Sequence, residues 1–185
     1  MIDYLEVFAV ICGIIYLILL SKVIRWGWVF GIMSAVSYTY ICFQTSLYFQ
    51  SFLQILYVFA GIWGFWSWSE LIEPTETATY HLSLKQNILI FFVALVFAIV
   101  AFYLLGFTDQ NSALLDSFVS IFSILATAMT VFRLIENWYY WWVINLLAIV
   151  LFYQQNLKAT VFLYAVYLAL SIYGYLEWRK KLVRS

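Results

Sequence analysis

Residues 26–69 read WGWVFGIMSAVSYTYICFQTSLYFQSFLQILYVFAGIWGFWSWS, a stretch between Arg25 and Glu70 with no Asp, Glu, Lys, Arg or His. A helix that crosses a bilayer needs about 20 mostly apolar residues. The stretch is twice too long for one such helix. It is therefore two spans, and the polar trio Gln44-Thr45-Ser46 is the place for the turn between them.

The rest of the chain has the same character. Of 185 residues 66% are hydrophobic and only 10% charged, whereas a soluble domain of this length carries about 25% charged residues. The mean hydropathy is +0.97. Seven spans fit, near residues 4–21, 26–44, 50–69, 87–106, 114–132, 137–156 and 159–178. The expected fold class is an all-α integral membrane protein of seven transmembrane helices. Asp3 and Glu6 precede the first apolar run without any Lys or Arg. That is the wrong start for a cleaved secretory signal, so the segment reads as a true span.

Lys and Arg in the connections orient such a chain. With the N-terminus outside, Lys22, Arg25, Lys85, Arg133, Arg179, Lys180, Lys181 and Arg184 lie on the cytoplasmic side, and only Lys158 lies opposite. The expectation is N-terminus out and C-terminus in the cytoplasm. Trp26, Trp28, Trp66, Trp68, Trp138, Tyr139 and Tyr140 crowd the span ends, as an interfacial aromatic belt does. The net charge is zero, so no nucleic-acid partner is expected. Membrane lipid is the expected surroundings. Cys12 and Cys42 have no metal-ligand or redox spacing and read as apolar filler. No cofactor, metal or catalytic group is expected.

Sliding the chain on itself by 110 residues lays 28–68 over 138–178 without a gap. Identities fall at Trp28/Trp138, Gln44/Gln154, Leu47/Leu157, Phe52/Phe162, Leu53/Leu163, Tyr57/Tyr167, Ile62/Ile172, Gly64/Gly174 and Trp68/Trp178. These nine exceed the roughly three that chance gives in so biased a composition. The organisation read from this is a first three-helix repeat (1–70), a cytoplasmic loop and linker helix (71–110), and a second three-helix repeat with a basic tail (111–185). A single linker helix makes the repeats parallel. Transporters are built this way, with the substrate site near the midplane between the halves.

The polar residues at depth are few. Trp138, Trp141, Trp142 and Asn145 share one face of the sixth span. Asn145 lies about two turns into the membrane. A buried amide must find partners or cost several kcal/mol, roughly. Either it bonds a neighbouring helix as packing glue, or it bonds a substrate whose ring stacks on the tryptophans. The third span carries Gln50, Gln54, Tyr57 and Gly61 at helical spacing. At the same 110-residue shift they meet Thr160, Tyr164, Tyr167 and Ser171. These stripes line either a shared central path or two packed seams.

No phosphate-binding loop, His-Glu-x-x-His or Gly-x-Ser-x-Gly occurs, so neither ATP hydrolysis by that route nor a hydrolase is expected. No charged residue occupies the middle of a span, where ion-coupled pumps need one. Facilitated diffusion is the mechanism consistent with that gap. His81 reads as a solvated loop residue after Pro74.

The run Trp138-x-x-Trp141-x-x-x-Asn145, then Tyr153, Thr160-x-x-x-Tyr164 and Gly174-x-x-x-Trp178, resembles the PnuC-type vitamin transporters. So does Leu53-Gln54 followed by Gly64-x-x-x-Trp68. The resemblance covers almost the whole chain, with Ala148 standing where many members carry Tyr or Ser. It implies a SWEET-like seven-helix fold, often a homotrimer, and uptake of nicotinamide riboside, thiamine or riboflavin down a gradient. It implies Gln54, Trp138, Trp141, Trp142, Asn145 and Tyr164 as substrate contacts, to which the paired stripes add Tyr57 and Thr160. Nicotinamide riboside and thiamine each carry a cationic ring that Trp faces attract by about 0.5–2 kcal/mol. Nicotinamide riboside is the favoured cargo, thiamine the next. The alternative of another class is a membrane assembly subunit that transports nothing.

Overall fold

A computed structural model describes residues 2–44, 48–68, 79–105, 113–154 and 158–181; the side chains of 2–3, 48–50, 104–105, 113 and 158–160 fall outside that description. Among the described residues are seven helices: α1 (Ile2–Ser21), α2 (Gly27–Gln44), α3 (Tyr48–Ser67), α4 (Leu84–Leu105), α5 (Ala113–Val131), α6 (Asn137–Gln154) and α7 (Lys158–Lys180). Each lies within three residues of an expected span. By length and composition α1, α4, α5 and α7 suffice on their own to cross a membrane. The helices α2, α3 and α6, 18 to 20 residues long, rise about 1.5 Å per residue and so match the hydrocarbon thickness.

The helices close a ring. Along it α1 packs on α2, α2 on α3, α3 on α5, α5 on α6, α6 on α7, and α7 back on α1. Among the described residues α1 does not approach α3 closely, nor α5 α7. The centre is thus left to side chains from all six. Outside the ring, α4 lies against α5 through Ala94 and Ala98, which are buried with Val119, Phe122 and Ala126. The rest of α4 presents Ile88, Leu89, Phe92, Val96, Phe97 and Val100 outward, as a lipid-facing helix does.

The 110-residue offset recurs in the backbone. Val23 and Arg133 hold positive φ, 60° and 58°. Each follows the end of a helix, α1 or α5. Ile24 N–H donates to Leu19 O and Val23 N–H to Leu20 O (both 2.9 Å), while Leu134 N–H donates to Met129 O (2.9 Å) and Arg133 N–H to Thr130 O (3.0 Å). Both are Schellman ends, which cap the last carbonyls and usually carry Gly at the left-handed position. A β-branched Val there is held against its steric preference, and its burial at 4% exposure in the core supplies the compensation.

That core joins the two three-helix groups at the end of the ring where α1, α3, α5 and α7 finish. It contains Leu20, Val23, Trp28, Trp68, Val131, Ile135, Trp138 and Trp178. Around it lie Lys22, Arg25, Arg133, Arg179, Lys180 and Lys181, so we call it the basic end. Residues 79–82 strap across it. Tyr80 N–H donates to Arg133 O (3.0 Å) and Ile135 N–H to Tyr80 O (2.9 Å); Thr79 Oγ1 donates to Trp178 O (2.9 Å). His81 is exposed but not merely solvated: its Nδ1 lies 3.0 Å from Oε1 of buried Glu136, which also accepts from Leu82 N–H at 3.0 Å.

Candidate functional site: the interior of the six-helix ring

Three tryptophans expected in the interfacial belt, Trp28, Trp68 and Trp138, join Trp178 in closing the basic end instead. Trp26 and Trp66 are exposed, as belt residues are, but Trp28, Trp68, Trp138 and Trp178 are at most 1% exposed. The reason is local. Gly64 and Gly174 let the helices approach so closely that a Cβ on either would lie within 2.6 Å of the ring carbons of Trp28 or Trp138. Those rings meet Trp68 and Trp178 edge-on, at 5.4 Å and 80° and at 5.3 Å and 87°, a favoured aromatic geometry. Trp68 and Trp178, 6.1 Å apart, join the two sets.

Trp68 and Trp178 then tie the two three-helix groups together with their N–H groups. Trp68 Nε1 on the end of α3 donates to Val131 O at the end of α5, 2.9 Å away. Trp178 Nε1 on the end of α7 donates to Leu20 O at the end of α1, also 2.9 Å away. Each three-helix group thus clasps the other's first helix by the same device.

Above this floor the ring interior is polar. On α6, Tyr139 and Trp142 meet Tyr175 of α7, while Ile144 and Ala148 are buried with Val119, Phe122 and Ala126 of α5. Successive residues advance about 100° round a helix, which puts Asn145 between these two arcs, facing the ring centre. Asn145 is 2% exposed, and its Oδ1 has no hydrogen-bond partner among the described residues. Trp141, half-buried, bridges the two core clusters and donates Nε1 weakly to Thr130 Oγ1 at 3.4 Å. Tyr57 reaches from α3 to the neighbourhood of Ser123 on α5. From α7, Tyr164 stacks on Phe152 (5.2 Å, 17°) and meets Tyr167 edge-on at 5.9 Å. Tyr167 lies within electrostatic reach of Tyr16, Tyr38, Tyr57 and Tyr164, so residues from four helices gather there.

The expected contacts are thus distributed over several levels and a seam. Tyr57 and Asn145 lie nearest mid-depth, Trp141 one turn below Asn145 on α6, and Tyr164 higher, stacked on Phe152 about two turns beyond Asn145. Half-buried Gln54 stands one turn above Tyr57 on the same face of α3. Trp138 lies lower, in the closed floor. Trp142 fills the α6–α7 seam, 5.2 Å from Tyr139 and 5.3 Å from Tyr175, with Nε1 buried and unpartnered. Thr160 belongs to α7, but its side chain lies outside the described residues, as do Gln50, Thr45, Ser46 and Pro74. Ala148 is fully buried against α5. Sequence reading missed Tyr16 and Ser123. The 110-residue offset held a signal for Ser123, since it pairs this serine with Gly13 just as it pairs Tyr57 with Tyr167.

Known proteins share this arrangement. The family model described as nicotinamide mononucleotide transporter matches residues 3–180. A protein of Neisseria mucosa named nicotinamide riboside transporter PnuC is 27% identical, over 98% of this chain and 74% of its own. Proteins of the same name from Haemophilus influenzae (24% identical, 99% and 82% covered) and Escherichia coli (23%, 95% and 85%) are also similar. A solved structure titled the crystal structure of the vitamin B3 transporter PnuC superposes with a TM-score of 0.82 at 26% identity, over 96% of this chain and 81% of that one. The ring of helices and a family match over nearly its whole length establish that the chain belongs to the nicotinamide mononucleotide transporter family, a family of multi-pass membrane transporters.

Proposed function

We propose that the protein carries nicotinamide riboside across the bacterial inner membrane by facilitated diffusion, through the ring between α1–α3 and α5–α7. Asn145 carries this reading. An amide buried in mid-membrane with an unpartnered carbonyl costs about 1–3 kcal/mol, and a ligand donor removes that cost. The carboxamide of nicotinamide riboside is such a donor, and its pyridinium ring fits the face of Trp141 through a cation–π attraction of about 0.5–2 kcal/mol. Gln54, Tyr57, Tyr164 and Thr160 face the ribose hydroxyls in this reading, Trp138 forms the floor, and Trp142 holds α6 against α7. The names of the relatives in three organisms support the same cargo.

The charge pattern favours the riboside over the mononucleotide. A phosphate taken into a membrane needs charge-assisted partners such as Arg or Lys. Every Lys and Arg of this chain lies at or beyond a helix end, between helices, or in the tail. No charged group sits mid-span to couple transport to an ion either. The excess of basic residues at the closed end supports N-terminus out and C-terminus in, so the closed floor faces the cytoplasm. The three-helix groups 1–70 and 111–185 act as two parallel repeats that rock about the site, with 71–110 joining them. The resemblance further supports assembly as a homotrimer in lipid, which the mass of the detergent-solubilised protein tests. Calorimetric titration with nicotinamide riboside and with thiamine tests the cargo. Binding of the riboside alone is expected; binding of thiamine alone refutes the assignment.

A further inference from the structure

Tyr57 and Tyr167 stand 110 residues apart and each reaches from the last helix of its group to the first helix of the other, but what they reach differs. Tyr57 comes close to the side chain of Ser123 on α5. Tyr167 arrives at Gly13 on α1, the position that pairs with Ser123. A Cβ built on Gly13 would lie far inside van der Waals contact of the Tyr167 hydroxyl, whereas the ring carbon Cζ that bears it stays 3.4 Å away. The same Cβ would sit 3.4 Å from Ser34 Oγ. That oxygen is fixed by donating to Ala9 O at 2.8 Å, so the space behind Gly13 does not yield. The missing side chain is therefore filled by one atom, the hydroxyl of Tyr167.

We infer that Gly13 is a positioning residue of the transport path: its lack of a side chain lets Tyr167 lie back against α1, leaving the mid-depth clearance that a riboside needs beside Asn145 and Trp141. The inference rests on the reading of the ring as the vitamin's route. Ser123 is its counterpart, holding Tyr57 one side chain further from α5. A methyl group at position 13 drives the Tyr167 ring towards Tyr57 and Tyr164 and narrows the path. Removing the Tyr167 hydroxyl removes the collision, because the remaining contacts are of ordinary van der Waals length.

The test is calorimetric titration of nicotinamide riboside into the full-length purified protein, as the unaltered chain, Gly13→Ala, Tyr167→Phe and the double variant, with a melting curve for each. Gly13→Ala is expected to weaken binding at least tenfold, and the double variant to bind as Tyr167→Phe alone does. Should Gly13→Ala fail to fold, the double variant is expected to fold and bind. A role in helix packing alone would lower the melting temperature without a tenfold loss of affinity in the folded protein. Gly13→Ala within twofold of the unaltered chain, or a double variant no better than Gly13→Ala, overturns the inference and leaves the cargo assignment standing. An unaltered chain that does not bind the riboside overturns the assignment and this inference together.

Discussion

Replacing Trp178 by Phe separates a clasp from mere packing at the basic end. The change removes the indole N–H that donates to Leu20 O at 2.9 Å and leaves a smaller ring beside Trp138 and Trp68. The Leu20 carbonyl keeps its bond from Val23 N–H, so the loss is that of one buried hydrogen bond, about 0.5–1.5 kcal/mol net. Loss of ring volume in a packed cluster raises the total to about 1–3 kcal/mol. If the clasp is made only while this end is closed, the closed state loses about 5- to 150-fold in relative population. The amides of Val23 and Ile24 report it, because their bonds to Leu20 O and Leu19 O sit where the clasp grips. Hydrogen exchange at these two amides is expected to accelerate within that range. Trp68→Phe should do the same to Arg133 and Leu134 across the ring. If the melting temperature falls while Val23 and Ile24 exchange at the original rate, the clasp does not hold the end shut.

Three further outcomes follow from the geometry. Gly174→Ala should cost about 1–3 kcal/mol by overpacking against Trp138, read as a lower melting temperature, and Gly64→Ala the same against Trp28. Glu136→Ala should cost about 1–3 kcal/mol by stranding the Leu82 N–H, whereas His81→Ala should cost less than about 1 kcal/mol because the imidazole is exposed; paired melts compare them. Asn145→Leu should keep or raise thermal stability, since it removes an unpartnered buried carbonyl, yet abolish riboside binding in calorimetry.

The helices were legible because lipid imposes a single length on every span. The repeat was legible because Gly64 and Trp68, like Gly174 and Trp178, mark places where two helices must touch and an indole must fill the gap. Identity holds at these contacts, although the exposed pairs Phe52/Phe162 and Ile62/Ile172 match as well. What tryptophan does at a helix end was not legible. Trp26 and Trp28 are both Trp near a span start, yet one is exposed and the other buried under Gly64; only the rotation of α2 against α3 decides. The depth of Trp138 was hidden for the same reason. Its spacing put it on the face of Asn145, and only the close approach of Gly174 shows that its ring packs into the floor. The pairing of Tyr167 with a bare Gly13 was beyond reach, because sequence offset aligns positions and says nothing of which atoms cross the ring.

Uptake of labelled nicotinamide riboside into proteoliposomes containing the purified protein tests the central claim most directly. Saturable uptake that a proton uncoupler leaves unchanged, and that Asn145→Ala abolishes in a protein that still melts cooperatively, is the predicted result. No uptake above protein-free vesicles contradicts a transport function for this cargo, and uptake that collapses with the uncoupler contradicts facilitated diffusion.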